Sequence, residues 1–336
     1  MIVGWDIGGV NTKVACVGRG RVRSALSRPY ELQRDSAGLV PLLVDLARAA
    51  AADAPEAHAV TMTAELSQMF RTKREGVAWV LDAVEAAFPA SRICVYCVDG
   101  RFIGPDDARR QPLRVAAANW SATARIVAER HPDAILIDVG TTTTDIVPIV
   151  QGRVAAVGRT DPERLVSGEL VYTGAVRTPT EAIAGHVPLR GELAGVSAEG
   201  FALAADVHVW RGDLAPSEYS APTPDGRPAS RPFCGERLAR VVCADCELLD
   251  ERAITAIADA LAAAQVARIA QAVVRVRARA PRLGCAVVAG IGAFLAAAAA
   301  RAAGLEVASL AEELGPAAAR SAPAAAVALL LDQVLG

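Results

Sequence analysis

Short apolar runs separated by polar turns open the chain. Ile2–Asp6 and Val14–Val17 read as the two strands of a hairpin, and Arg21–Ser27 as a third strand. Leu39–Ala51 changes period, with apolar residues at helical spacing. His58–Thr63 then reads as a strand, Arg74–Ala87 as a helix, Ile93–Val98 as a strand and Ala116–Arg130 as a helix that stops before His131-Pro132. Three strands, a helix and a strand form a mixed order, unlike the strict alternation of a nucleotide-binding βαβ array.

The opening pattern then returns. Ala134–Asp138 is an expected strand, followed by a Gly-Thr turn, Asp145–Val150, a turn at Gly152-Arg153 and Val154–Gly158. An internal repeat of strand, bend, strand, turn, strand predicts a duplicated architecture. It divides the chain into an N-terminal lobe over 1–132 and a C-terminal lobe over 133–336, the latter with a helical insertion and the C-terminal helices. In that second part Glu199–Trp210, Gly235–Leu248 and Glu251–Arg279 have helical spacing, and Ala215–Phe233 is rich in turn formers. Cys285–Ala289 reads as a strand entering Gly290-Ile291-Gly292, with a helix from Ala293 and a last helix over Ala322–Leu335.

Two bends carry the candidate chemistry. Asp6-Ile-Gly-Gly-Val-Asn-Thr-Lys13 and Asp138-Val-Gly-Thr-Thr-Thr-Thr-Asp145 each place an Asp and a glycine turn after an apolar run, then small polar residues. Glycine allows close approach of the backbone to a ligand, and the amides and hydroxyls that follow can face phosphate oxygens. The phosphate-binding candidates are therefore Gly8, Gly9, Asn11, Thr12 and Lys13 in the first bend, and Gly140, Thr141, Thr142 and Thr143 in the second. Gly290 and Gly292 join them at a strand–helix junction, where a helix N-terminus can face an anion. Asp6 and Asp138 are the expected holders of a Mg²⁺ ion.

Composition narrows the partners. The formal charge is −2, so no global basic field recruits nucleic acid, and basic charge is nearly all arginine, the lysines being Lys13 and Lys73. Mean hydropathy is +0.30, spread thinly as alanine, with no uninterrupted apolar span of about 20 residues. The N-terminus reads straight into a strand, without the pattern of a signal peptide, so a cytoplasmic protein without membrane association is expected. Seven cysteines suit a reducing compartment. Alternation sends Cys94 and Cys97 to opposite faces of a strand, and Cys243 and Cys246 are expected one helical turn apart.

Repeated Asp-Gly-Thr hairpins and a late strand–Gly–helix resemble the actin, sugar-kinase and heat-shock-70 superfamily. That resemblance implies an α/β fold of duplicated ribonuclease H-like lobes with an interlobe phosphate cleft. More narrowly, the chain resembles the hydantoinase/oxoprolinase-like branch, and within it proteins of tetrahydromethanopterin-linked C1 transfer pathways of the methanofuran-biosynthesis synthase type. The residues that carry this are Asp6–Lys13, Met62–Val77, Ala116–Ala124, Ile137–Ile149, Arg164–Pro179, Ala202–His208 and Ala289–Leu295. The glycine-poor, alanine-rich C-terminal region departs from the pattern and is attributed to composition.

The resemblance implies a transferase. It would join an (aminomethyl)furanylmethyl diphosphate to the phenol of a glutamyl-tyramine or tyrosine-type acceptor, forming an aryl ether in methanofuran or methylofuran and releasing diphosphate. The alternative is an ATP-dependent hydantoinase/oxoprolinase-type hydrolase or a small-molecule kinase, with ATP or another nucleotide in the same cleft. A phenol has an ordinary pKa of about 10 and needs a base or a nearby cation. The candidates for base are Glu169, Asp145 and Glu65, in that order, with Lys13 as the cation at the departing diphosphate. Glu65, Arg71, Lys73, Asn119 and Tyr172 are the substrate-binding candidates. Small-molecule substrates are the expected partners, and a homodimer is compatible with the sequence.

Overall fold

The computed structural model describes residues 1–50 and 55–336. One sheet contains β1 (Ile2–Ile7), β2 (Asn11–Gly18), β3 (Arg21–Pro29), β4 (Ala57–Met62), β5 (Ile93–Tyr96) and β6 (Phe102–Ile103). Their spatial order is β3-β2-β1-β4-β5-β6. β1 pairs antiparallel with β2 and parallel with β4, so a hairpin lies on one side of the central strand and a crossover strand on the other.

The same plan recurs later in the chain. β7 (Ala134–Val139), β8 (Thr144–Val150), β9 (Arg153–Val154), β10 (Leu170–Val171), β13 (Cys285–Ala289) and β14 (Glu306–Ser309) form a second sheet. Its order is β10-β8-β7-β13-β14, with β9 beside β8. β11 (His186–Leu189) and β12 (Glu192–Gly195) pair with each other as a separate hairpin. This is the expected duplicated ribonuclease H-like arrangement of the actin and sugar-kinase fold class.

Two compact units result, interleaved along the chain. One comprises Met1–Leu136, Val147–Ser167 and Ala308–Gly336; the other comprises Ile137–Ile146 and Gly168–Val307. The C-terminal helix Ala322–Leu335 belongs to the first unit, unlike the expected division that keeps it with the second lobe.

β1 is buried along its whole length because both faces are covered. Val3, Trp5 and Ile7 pack with Leu39, Leu43 and Leu46 and with Val77, Val80 and Leu81 from two helices, Leu39–Ala50 and Lys73–Ala87. The Ala51 end of the expected first helix lies outside the described residues. On the other face, Ile2 packs with Ala118, Ala122 and Ile126 and with Val327 and Leu331. A Cβ at Gly4 would overlap the Ala324 carbonyl oxygen and press on Ala328, so the last helix lies directly against the strand. The C-terminal alanines thus have a structural role: Ala322, Ala324, Ala325, Ala326 and Ala328 are buried where larger side chains would hold helix and strand apart.

Several expected elements shift. The expected 154–158 strand is only β9, and the helix expected from Glu199 begins at Ala204, where the Asp206 carboxylate accepts from the Leu203 amide at 2.8 Å. The helix expected over Gly235–Leu248 runs Arg231–Arg240 instead. Cys243 lies beyond it with a left-handed φ of 56°, so Cys243 and Cys246 are exposed turn residues and do not share a helical turn. Cys94 and Cys97 do fall on opposite sides, in separate core clusters. Glu251–Arg277 is long and apolar enough to span a membrane by length and composition alone, with mean hydropathy 1.4 over its most apolar 18 residues, yet Ile257, Leu261 and Val273 on it are buried in this chain.

Candidate functional site

The two bends share one local construction. In the first, the Gly8 amide donates to the Asn11 carbonyl at 3.0 Å; in the second, the Gly140 amide donates to the Thr143 carbonyl at 2.9 Å. Further carbonyls of each bend are occupied from outside. Tyr30 and Leu32 amides donate to Val10 and Gly9, while the Ala175 amide donates to Gly140 and the Val176 and Arg177 amides to Thr141. With these acceptors occupied, amide donors become the larger share of what each bend can offer, the polarity an anion requires.

In the first bend, register places Asp6 opposite Lys13, and the Lys13 ammonium lies 3.2 Å from Asp6 Oδ2. Asp6 is nearly buried and its other oxygen, Oδ1, has no hydrogen-bond partner. A buried carboxylate oxygen left open in this way fits a hard cation or a water attached to one. Asp138 stands at the corresponding position of the second bend and is half-buried. Among the described residues, no group of three or more His, Cys, Asp or Glu side chains is placed to hold a metal, which leaves Mg²⁺ only the few-carboxylate mode it uses when phosphates and waters complete its shell. Thr12 alternates away from Asn11 and Lys13 and is fully buried, so its hydroxyl is turned into the sheet.

The second bend is braced by a buried polar chain. Thr144 donates to the Thr173 carbonyl at 2.7 Å, and the Gln265 amide donates to Thr173 Oγ1 and the Gly174 carbonyl, each at 2.8 Å. With its amide nitrogen so used, Gln265 offers its oxygen to His208 Nε2 at 2.9 Å. Gly174 is required here: a Cβ would stand 2.5 Å from the Thr142 nitrogen. Gly290 and Gly292 play a similar part, because side chains there would collide with Asp138 and Val139. No local pattern marks Thr173 and Gln265, because they meet across 92 positions of the chain.

The expected base and substrate residues fall into distinct environments. Glu169 has no exposed side-chain surface and is paired with Arg279 at 2.5 Å. Asp145 is half-buried in β8, Tyr172 is 59% exposed and Arg71 is exposed, its amide donating to Glu75 Oε2 at 2.9 Å. Glu65 and Lys73 come together with a residue sequence reasoning did not single out, Asp161. Lys73 Nζ is 2.6 Å from Asp161 Oδ2 and 3.8 Å from Glu65 Oε1. Neither Glu65 oxygen has a hydrogen-bond partner. Burial pushes the Glu65 carboxyl up to about 7, against the opposing pull of Lys73 and of nearby main-chain amides at Glu65 and Ala117, with Asp161 adding to the rise. Asn119 is half-buried beside Trp120, and the buried Arg164 guanidinium stacks on the Trp120 ring at 4.1 Å.

The hydantoinase/oxoprolinase family model matches residues 56–334. The chain belongs to that family. Among the relatives of this hydantoinase/oxoprolinase-family chain is a protein of Methanocaldococcus jannaschii, 39% identical over 253 residues, 75% of this chain and 74% of the relative. It is named as the synthase of a furan-2-yl methanamine bearing a (gamma-L-glutamylamino)ethyl-phenoxymethyl group. A Methanococcus vannielii protein with the same name is 40% identical over 113 residues, 34% of this chain and 50% of the relative. Acetone carboxylase in its nucleotide-free structure is similar in fold, with a TM-score of 0.56 at 12% identity, covering 97% of this chain and 70% of that one.

Proposed function

We propose that this family member is a transferase of methanofuran-type cofactor biosynthesis, joining a furanylmethyl diphosphate to a phenol of the glutamyl-tyramine class with release of diphosphate. The observation that carries this is the 39% identity to the M. jannaschii synthase across 75% of this chain. The name of that relative contains a phenoxymethyl-furan linkage, the bond this reaction would make.

The chemistry suits the residues. An electron-rich furan stabilises positive charge on the attached methylene, so bond breaking needs little push from the nucleophile. The barrier lies in charge gathering on the departing diphosphate. Amide donors of the first bend and the Lys13 ammonium beside them answer that charge, and one oxyanion-type donor is typically worth about 3–4 kcal/mol. Mg²⁺, when bound, would supply further neutralisation; Asp6, with its open Oδ1, is the residue of the first bend that would hold it, and Asp138 its counterpart in the second.

The test is direct. Purified protein, supplied with furanylmethyl diphosphate, a tyramine-type phenol and Mg²⁺, is expected to form the aryl ether by mass spectrometry with one diphosphate released per ether, and no ATP consumed. Ether formation only with ATP hydrolysis, or ATP turnover without ether, would replace the proposal with a nucleotide-driven reaction. Lys13→Ala is expected to weaken donor binding by on the order of 10²-fold, measured by calorimetry; unchanged affinity would remove Lys13 from the site.

A further inference from the structure

We propose that Glu65 is the group that takes the proton from the phenolic acceptor, and that Lys73 holds the oxygen anion so formed; this rests on the transferase reading above. The first ground is the state of the carboxylate. Its side chain has no exposed surface, and neither oxygen is held by a hydrogen bond of good geometry, the Glu65 and Ala117 amides standing near without closing one. An unpartnered acid inside a protein costs on the order of 1–3 kcal/mol or more, and a fold keeps one where an arriving group supplies the missing donor. A phenol O–H is such a donor.

The second ground is placement. Glu65 follows β4, and β4 runs parallel to β1 with Thr61 beside Asp6 and Met62 beside Ile7. The Thr63 amide donates to the Ile7 carbonyl at 2.9 Å, so the Glu65 segment leaves the sheet next to the first glycine bend. Carboxyl and bend therefore share one edge of the same unit, at the C-terminal ends of parallel strands, where open α/β sheets carry their ligands. A third segment reaches that edge: the Ala117 amide donates to Met62, and Ala117 adopts a left-handed φ of 48°, uncommon for a side-chain-bearing residue.

The third ground is how Lys73 is shared. It stands 2.6 Å from Asp161 but 3.8 Å from Glu65, so the ammonium leans away from the buried acid. Lys73 and Asp161 keep side-chain exposures of 22% and 19%, which makes them the accessible part of the cluster. An ammonium held by Asp161 leaves the Glu65 oxygens open to the phenol and keeps a cation within reach of the phenolic oxygen. Lys73 and Asp161 are the charged side chains facing Glu65, from two different helices, and the Ala117 segment brings only an amide.

The step balances. The phenolic O–H bond breaks and its proton passes to a Glu65 oxygen. The oxygen lone pair forms the bond to the furanylmethyl carbon, and that carbon's bond to diphosphate breaks with the electron pair leaving on diphosphate. Glu65 then returns its proton to water. A carboxyl pushed up to about 7 is matched to this task near neutral pH.

Steady-state kinetics of Glu65→Gln, Glu65→Asp and Lys73→Met test the proposal, using the furanylmethyl diphosphate donor with a tyramine-type phenol and with a ring-fluorinated, more acidic one. Glu65→Gln is expected to lower kcat by about 10²–10⁴-fold, to keep donor affinity, and to abolish the rise of rate with pH centred near 7. The fluorinated acceptor should recover part of the loss, because its proton needs less help, and Glu65→Asp should retain part of the rate. Lys73→Met should move the pH limb upward, a result that also serves if Glu65→Gln does not fold. A wild-type rate in Glu65→Gln overturns the proposal, as does an equal loss with both acceptors or a limb unmoved in Lys73→Met. If the wild-type protein makes no ether at all, the transferase reading falls and this inference with it; if it makes ether and Glu65→Gln does too, only the inference falls.

Discussion

Glu65 and Glu169 are two glutamates whose side chains expose no surface, and they are held in opposite ways. Glu169 meets the Arg279 guanidinium at 2.5 Å, so its charge is answered where it sits. Glu65 has a lysine at 3.8 Å that is closer to another acid, and neither of its oxygens accepts a hydrogen bond of good geometry. Burial alone therefore does not separate structural from chemical carboxylates; what separates them is whether the charged form is already satisfied. Read from sequence, Glu169 ranked first as the base because its Ser-Gly-Glu turn looks polar and open. The structure turns that residue inward against a partner 110 positions away.

The comparison breaks first on activity, where Glu65→Gln should cost the 10²–10⁴-fold in kcat given above, about 3–5 kcal/mol of barrier. The next largest effect belongs to the other glutamate. Glu169→Gln leaves Arg279 facing a neutral amide and should lower unfolding stability by about 2–3 kcal/mol, read by urea denaturation; no loss would mean that the pair is not structural.

His58 supplies a control of opposite sign. It accepts the Trp5 indole N–H at 3.0 Å and stacks on Phe88, and burial pushes its pKa down to about 4. The unfolded chain thus binds a proton that the folded one resists. Stability should be complete above about pH 6.5 and fall by about 2 kcal/mol as pH drops toward 4, a limb that His58→Gln should remove. Glu65 does the reverse. Its raised pKa favours the folded state fully below about pH 4.5, an advantage lost as pH rises through about 7. Above that pH Glu65→Gln should be more stable than wild type by about 1 kcal/mol, so one substitution that ruins turnover should harden the fold. Equal stability of the two proteins at pH 8 would show that the carboxylate is better satisfied than its contacts indicate. The smallest effect is expected at the exposed Arg71, where alanine should raise the acceptor KM by no more than about fivefold.

Much of the fold was legible because its signals are local. The apolar-Asp-Gly pattern of both bends, the hairpins they join and the last helix, Ala322–Leu335, follow from a few consecutive residues. Elements fixed by distant contacts were not. The end of the Arg231–Arg240 helix depends on left-handed Cys243, and β14 exists only as an edge partner of β13. The site divided in the same way. Asp6 and Lys13 are register partners in one hairpin and could be foreseen, while Asp161 reaches Lys73 across 88 positions with no local motif to announce it.

The contact at Gly4 has a consequence for how the chain matures. The strand that holds Gly4 fits only against the helix that holds Ala324 and Ala328, with no room even for a methyl group between them. During synthesis that face of the first sheet must stay partly uncovered, shielded only by Ala118, Ala122 and Ile126, until residues 322–335 leave the ribosome. A chain stalled short of that point should be a strong client for chaperones, and a nick just before the helix should release the amino-terminal strand to proteases.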